Sequence, residues 1–206
     1  MKKLMAFTMS ILFALATAST VAYADPMKSK MVSKSSVELK SNMQKLWEDH
    51  ITYTRNYIIS ALADLGDTND VAGRLLKNQD DIGDAIKPIY GDAAGAKLSA
   101  LLKDHILIAT EVVKAAKMGT KDELSNASNK WTANADDIAA FLSSANPNWS
   151  QRVMQDMLHK HLEFTTQEVV SRLNKNWAAD VQAYDNGHVH MLIRCEDRWN
   201  REAVPG

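Results

Sequence analysis

Residues 46–51 read Leu46-Trp47-Glu48-Asp49-His50-Ile51, and their pattern of apolar, polar and histidine positions returns at residues 101–106 and 157–162. The histidines of the three copies are 55 and 56 residues apart. A fixed period of this length is typical of a repeated supersecondary unit. The sequence therefore predicts an internal triplication.

The segments around the three copies have a helical pattern. Apolar residues recur at steps of three and four, and no segment of useful length alternates with a period of two. Capping residues, glycine and proline separate the segments. The predicted segments cover residues 37–65, 67–91, 92–119, 120–146, 150–173 and 176–193. We predict an all-α fold, a bundle of about six helices built from three repeated helical hairpins.

The N-terminal 24 residues predict export. Two lysines precede an apolar core, and Ala22-Tyr23-Ala24 forms a small-residue cleavage site, as in a secretory signal peptide. An uncleaved membrane anchor is the alternative, but it requires about 20 apolar residues. We expect a periplasmic or secreted protein with no stable membrane span after cleavage. Residues 25–36 are expected to form a flexible leader, 37–193 one helical domain, and 194–206 a charged tail.

Composition limits the possible partners and bonds. The chain has 24 basic and 25 acidic residues, so no basic surface for a nucleic-acid partner is expected. Cys195 is the single cysteine, and an intramolecular disulfide is therefore impossible. Fingerprints of covalent haem, P-loop, Rossmann and serine hydrolase sites are absent from the sequence.

The repeat predicts a polar layer in the core. Helical spacing places His50, His105 and His161 on the apolar faces of their helices. Asn78 and Asn134 lie on the apolar stripes of the following helices, 28 and 29 residues after the first two histidines. Buried polar groups require hydrogen-bond partners, so these side chains are expected to meet.

Two further sets of residues belong to the predicted layer. A further step of 56 residues from Asn134 selects His190 as the third equivalent position. Asp81 and Asp137 border the stripes that carry Asn78 and Asn134.

Three interpretations of this layer remain open. The side chains can form a closed hydrogen-bond network that fixes helix packing. They can bind Zn, Cu, Ni or Fe through His50, His105, His161 and, as a further ligand, His190, with Asp81 or Asp137 as a carboxylate ligand or as a partner that orients a ligand. They can instead hold a small organic molecule in the same layer; the cofactor-binding residues predicted on the partner helices are Asn78, Asp81, Asn134 and Asp137.

Other polar and aromatic residues give weaker signals. His159 and Glu163 are four residues apart, a spacing that can bind metal but is more typical of surface pairing. Trp47 and Trp131 are expected to pack near the polar layer. Trp149 lies in a predicted loop, where it can act as a hydrophobic plug or contact a partner.

Several phrases of the chain resemble a family of small exported bacterial helical proteins of unestablished function. They are Leu46-Trp47-Glu48-Asp49-His50, the segment from Arg74 to Gly83, Leu102-Lys103-Asp104-His105-Ile106, and the segment from Phe141 to Trp149. The resemblance covers nearly all of the chain after the leader, up to about Leu192. It implies export and a helical fold, and also a longer amphipathic end to the last helix than the charged residues 194–206 provide.

These observations predict an exported binding protein whose core layer holds a metal ion or a small ligand. One alternative is a structural or partner-binding envelope protein in which the layer only fixes packing. A metal-dependent enzyme is the second alternative, and it requires an open coordination position reachable from solvent.

Overall fold

The chain forms six helices. The computed structural model describes the backbone of residues 26–202 and the side chains of residues 38–192. The helices are α1 (Pro26–Leu62), α2 (Thr68–Tyr90), α3 (Asp92–Met118), α4 (Lys121–Ala145), α5 (Gln151–Leu173) and α6 (Trp177–Glu202). Because the described residues contain no strand, the predicted all-α bundle is confirmed.

Both terminal helices are longer than predicted. Residues 26–36, predicted as a flexible leader, lie in a helix, because α1 begins at Pro26. Proline is well suited to the first helical turn, and no glycine follows it in α1. Likewise, α6 continues through the charged tail to Glu202. The predicted signal peptide at residues 1–24 lies outside the described residues.

Local sequence signals determine where the helices begin and end. Thr120 and Glu123 form a capping box at the start of α4. Pro88 lies inside α2 and does not end it. The end comes at Gly91, whose φ of 84° is readily accessible to glycine and whose N–H donates to the Lys87 carbonyl.

The six helices pack as an inner and an outer set. The inner helices α1, α3 and α5 contact one another, while α2, α4 and α6 pack mainly on the helices next to them in the chain. Contacts between α6 and α1 close the arrangement. Ile58, Val113 and Val169, which the repeat aligns, form a small buried cluster of one residue from each inner helix. None of the helices in the described part of the chain is apolar and long enough to cross a bilayer.

Helices α2 and α3 approach closely where Gly83 faces Gly95. A Cβ atom added to Gly83 would overlap Ser99 Oγ and lie 2.5 Å from the Gly95 carbonyl oxygen. Gly73, on the same helix, has no atom within 4 Å of the corresponding position. The two glycines therefore provide a matched test of helix packing.

We expect Gly83→Ala to lower the free energy of unfolding by about 1–3 kcal/mol, because the added methyl forces the helices apart. Gly73→Ala should stabilise the protein slightly, since alanine favours the helix. Urea unfolding of both variants measures the difference. Equal stability of the two variants would show that the crossing is not tightly packed.

Candidate ligand-binding site

Three histidines meet in the core. His50 comes from α1, His105 from α3 and His161 from α5, and their exposed fractions are 2%, 3% and 6%. The His161 ring lies near both of the others, with centroids 5.8 Å from His50 and 6.1 Å from His105. We call these three side chains the imidazole layer. Their burial and proximity agree with the sequence prediction.

Two tryptophans enclose the imidazole layer. The Trp47 ring meets His50 edge-on at a centroid distance of 5.4 Å, and Trp131 lies 5.3 Å from His105. The predicted proximity of these tryptophans to the polar layer is therefore confirmed. Aromatic contacts of this kind fix the orientation of the imidazole rings.

The outer helices are tied to the inner ones by equivalent hydrogen bonds. Asn78 Nδ2 donates to the Leu46 carbonyl at 3.0 Å, and Asn134 Nδ2 donates to the Leu101 carbonyl at 3.1 Å. His190 Nε2 makes the third such bond, to the Met157 carbonyl at 2.9 Å. The accepting carbonyls belong to the three copies of the repeated pattern. The three bonds thus follow the 55- and 56-residue spacing of the sequence pattern.

Amide side chains contact Nδ1 of two histidines. Asn134 Oδ1 lies 2.8 Å from His105 Nδ1, and Gln79 Nε2 lies 3.3 Å from His50 Nδ1. Gln79 is fully buried but was not among the predicted site residues. Its signal was present in the sequence, because Gln79 follows His50 by 29 residues, as Asn134 follows His105.

The imidazole layer is neutral near pH 7. Burial lowers the pKa of His50 to about 3, with a further contribution from His105 and an opposing one from the Gln79 hydrogen bond. Burial likewise lowers the pKa of His105 to about 4, against the Asn134 hydrogen bond. Burial, followed by the neighbouring imidazoles, holds the pKa of His161 well below its usual value. Neutral imidazoles can both donate and accept hydrogen bonds.

Two small cavities border the imidazole layer. A cavity of about 50 Å³ is lined by Trp131 and Thr165 among others, and we call it the threonine-side cavity. A cavity of about 60 Å³ is lined by Trp47 and Met154 among others, and we call it the methionine-side cavity. All three histidines line both cavities. The layer is thus the shared wall of two small spaces.

Two buried nitrogen atoms in this region have no hydrogen-bond partner among the described residues. They are His161 Nδ1 and Trp131 Nε1. An unsatisfied buried polar group costs about 1–3 kcal/mol. A bound molecule that supplied a partner would recover part of this free energy.

Not every predicted site residue joins the layer. Asp81 is only half-buried and pairs with Lys77, and Asp137 is exposed. His190 is half-buried, with its Nε2 on the Met157 carbonyl and its ring 5.6 Å from Phe164. As the side chains stand in the described residues, no three His, Cys, Asp or Glu groups are arranged to hold a metal ion.

The peripheral residues have other contacts. His159 Nε2 lies 2.8 Å from Asp136, and Glu163 pairs with Lys160, so both residues have surface partners but do not pair with each other. The Trp149 side chain is buried against the main core, consistent with a hydrophobic plug. It also lines the methionine-side cavity.

A buried ion cluster beside α1 was not predicted. Arg55 binds both carboxylate oxygens of Asp180 and lies 2.7 Å from Glu168, and Arg172 lies 2.9 Å from Asp180. Burial raises the pKa of Glu168 despite the neighbouring Arg55. Burial alone would also raise the pKa of Asp180, but its bonds to Arg55 and Arg172 hold it below the usual value. The cluster joins α1, α5 and α6.

No protein-family model, curated protein or solved structure matches the chain. The resemblance to small exported bacterial helical proteins therefore stays a prediction based on the quoted sequence phrases.

Proposed function

We propose that this is an exported binding protein whose site is the imidazole layer, where a metal ion or a small ligand binds. One observation carries the proposal: three neutral histidines from three helices meet between two cavities, and His161 Nδ1 has no partner among the described residues. A layer that served packing alone would gain stability by filling these spaces. The signal-peptide pattern at residues 1–24 supports export.

A structural or partner-binding envelope protein is the second candidate. The amides of Asn134 and Gln79 already contact Nδ1 of His105 and His50, as expected of a closed network that fixes packing. This candidate leaves the unpartnered nitrogen of His161 unexplained. A metal-dependent enzyme ranks third, because it would require a coordination position open to substrate.

The proposal is tested with the mature, untagged protein beginning at Asp25. Elemental analysis detects a metal that copurifies, and separate titrations with Zn²⁺, Cu²⁺, Ni²⁺, Fe²⁺ and small organic molecules are followed by histidine side-chain NMR. We expect at least one of these probes to shift the resonances of His50, His105 and His161, because a ligand between the cavities contacts their rings.

His161→Leu should abolish these shifts, whereas His159→Ala should preserve them, since His159 is exposed. Thermal unfolding of each variant checks that it is folded. Absence of copurified metal, together with unchanged histidine resonances for every probe in the wild type, would contradict the proposed function.

A further inference from the structure

We infer that the imidazole layer presents one hydrogen-bond donor and one acceptor, and that its ligand is a short-chain neutral molecule with a hydroxyl group rather than a metal ion. This inference rests on the proposed function and names the ligand class of the same site. It follows from the directions of the hydrogen bonds made by Asn134 and Gln79.

Asn134 fixes the proton position on His105. Its Nδ2 donates to the Leu101 carbonyl at 3.1 Å, so Oδ1 is the atom that faces His105 Nδ1 at 2.8 Å. An amide oxygen only accepts hydrogen bonds, and Nδ1 must therefore carry the proton. In the neutral ring, Nε2 of His105 is then an acceptor.

Gln79 fixes the opposite arrangement on His50. Its Nε2 donates to the Leu75 carbonyl at 2.8 Å and to Asn78 Oδ1 at 3.2 Å, so the amide nitrogen is the atom that lies 3.3 Å from His50 Nδ1. An amide nitrogen accepts no hydrogen bond, so a proton on His50 Nδ1 would face another donor, and the unprotonated Nδ1 is favoured. Nε2 of His50 then carries the proton and is a donor.

Both Nε2 atoms remain available to a ligand. Within the described part of the chain, hydrogen bonds to His50 and His105 engage Nδ1 and leave Nε2 without a partner. Both rings line the two cavities. The central His161, whose Nδ1 is also unpartnered, can adopt either tautomer. The layer therefore offers a donor, an acceptor and an adaptable ring between them.

This arrangement disfavours a metal ion. Each histidine ligand must present a lone pair to the metal. If His50 presented Nε2 in this way, its Nδ1 proton would face the amide N–H of Gln79. The repulsion between two donors would oppose coordination.

The cavities determine the size and charge of the ligand. A buried water requires about 10–15 Å³ of such space, so volumes of about 50 and 60 Å³ fit a molecule of a few heavy atoms. Among the described residues, neither cavity is lined by Asp, Glu, Lys or Arg. A charged ligand would lose its hydration without gaining a partner of opposite charge. A hydroxyl group can bond either Nε2 atom, while an alkyl chain fits the apolar walls.

The first test measures the tautomers directly. Long-range ¹H–¹⁵N NMR spectra of the wild-type protein with labelled histidine should show the Nε2–H form for His50 and the Nδ1–H form for His105. Because this measurement requires no substitution, it does not depend on the folding of a variant. The same tautomer on both rings would overturn the inference.

The second test compares ethanol with propane, which has a methyl group in place of the hydroxyl. We expect ethanol to shift the Nε2 resonances of His50 and His105 with a Kd of about 1 mM or weaker, as for other three-atom ligands. Propane should bind at least about fivefold more weakly, because it makes no hydrogen bond. Zn²⁺ should leave these resonances unchanged.

Each contrary outcome has a separate meaning. Equal binding of propane would overturn the hydroxyl class, and Zn²⁺ binding without ethanol binding would overturn the inference while leaving the proposed function intact. If ethanol, propane and Zn²⁺ all leave the histidine resonances unchanged, the inference is overturned. If the other metals and small molecules also leave them unchanged, the proposed function is overturned as well.

A substitution tests the role of Gln79 as a specificity-determining residue. Gln79→Met removes the amide, so a population of the Nδ1–H form of His50 should appear and ethanol affinity should fall about fivefold to tenfold. Gln167→Met makes the same change at an exposed position of α5 and should alter neither quantity. An unchanged His50 tautomer in a folded Gln79→Met protein would contradict this role.

Discussion

Acidification below about pH 6.5 is expected to destabilise the protein strongly. The folded-state pKa values of His50 and His105, about 3 and about 4, lie below the unfolded value near 6.5, and the pKa of His161 is also lowered. The unfolded chain therefore binds protons more readily. The associated stability is fully present above about pH 6.5 and is lost as the pH falls toward the folded-state values.

The expected effect is large because three groups act together. Each histidine that stays unprotonated in the folded state but takes up a proton on unfolding lowers the free energy of unfolding. The loss is about 1.4 kcal/mol for each pH unit below the unfolded-state pKa. At about pH 4.5 His50 and His105 alone would cost about 5 kcal/mol, which is comparable with the whole stability of a marginally stable domain, and His161 adds to this loss. Urea unfolding between pH 7.5 and pH 5 measures the slope.

Two variants test whether the imidazole layer causes the change of the free energy of unfolding with pH. His161→Phe should reduce it by about one third, since one of three proton-binding groups is removed. His159→Ala should leave it unchanged, because His159 lies at the surface. A wild-type free energy of unfolding that stays constant from pH 7 to pH 5 would contradict the neutral, buried state of these rings.

Removal of Asp180 is the substitution with the largest expected cost. Asp180 is 1% exposed and bonds both Arg55 and Arg172. Asp180→Ala leaves these guanidinium groups partly buried without their shared carboxylate, so the free energy of unfolding should fall by about 3–5 kcal/mol. Thermal and urea unfolding at pH 7 measure this loss.

Asp185→Ala is the matched control, because it removes an exposed carboxylate from the same helix. It should change the free energy of unfolding by less than about 0.5 kcal/mol. If Asp180→Ala were as mild as the control, the cluster would not contribute to the stability of the bundle.

The sequence predicted the part of the site that follows helical periodicity. His50, His105 and His161 lie on apolar faces, and the period relates them in the chain. The period also identified His190, whose bond to the Met157 carbonyl corresponds to the Asn134 bond to Leu101. Repeated positions are predictable because equivalent helices bury equivalent faces.

Other features depend on contacts that no local pattern encodes. Arg55 and Asp180 are 125 residues apart, and each is an ordinary charged residue in its own helix. Gly83 ends the segment that begins at Arg74, but a glycine inside a helix does not by itself indicate that another helix crosses there. Asp81 and Asp137 lie beside the stripes of buried residues on α2 and α4. Adjacent residues of a helix point in different directions, so both carboxylates face outward.

The contact between α6 and α1 fixes the number of helix pairs in this architecture. An open solenoid can gain or lose a repeat, because each repeat contacts only its neighbours. Here a fourth pair inserted into the ring would separate α6 from α1, part Arg55 from Asp180, and move α1, α3 and α5 away from their common centre. An added helix pair would thus separate the three histidines that the present six helices bring together.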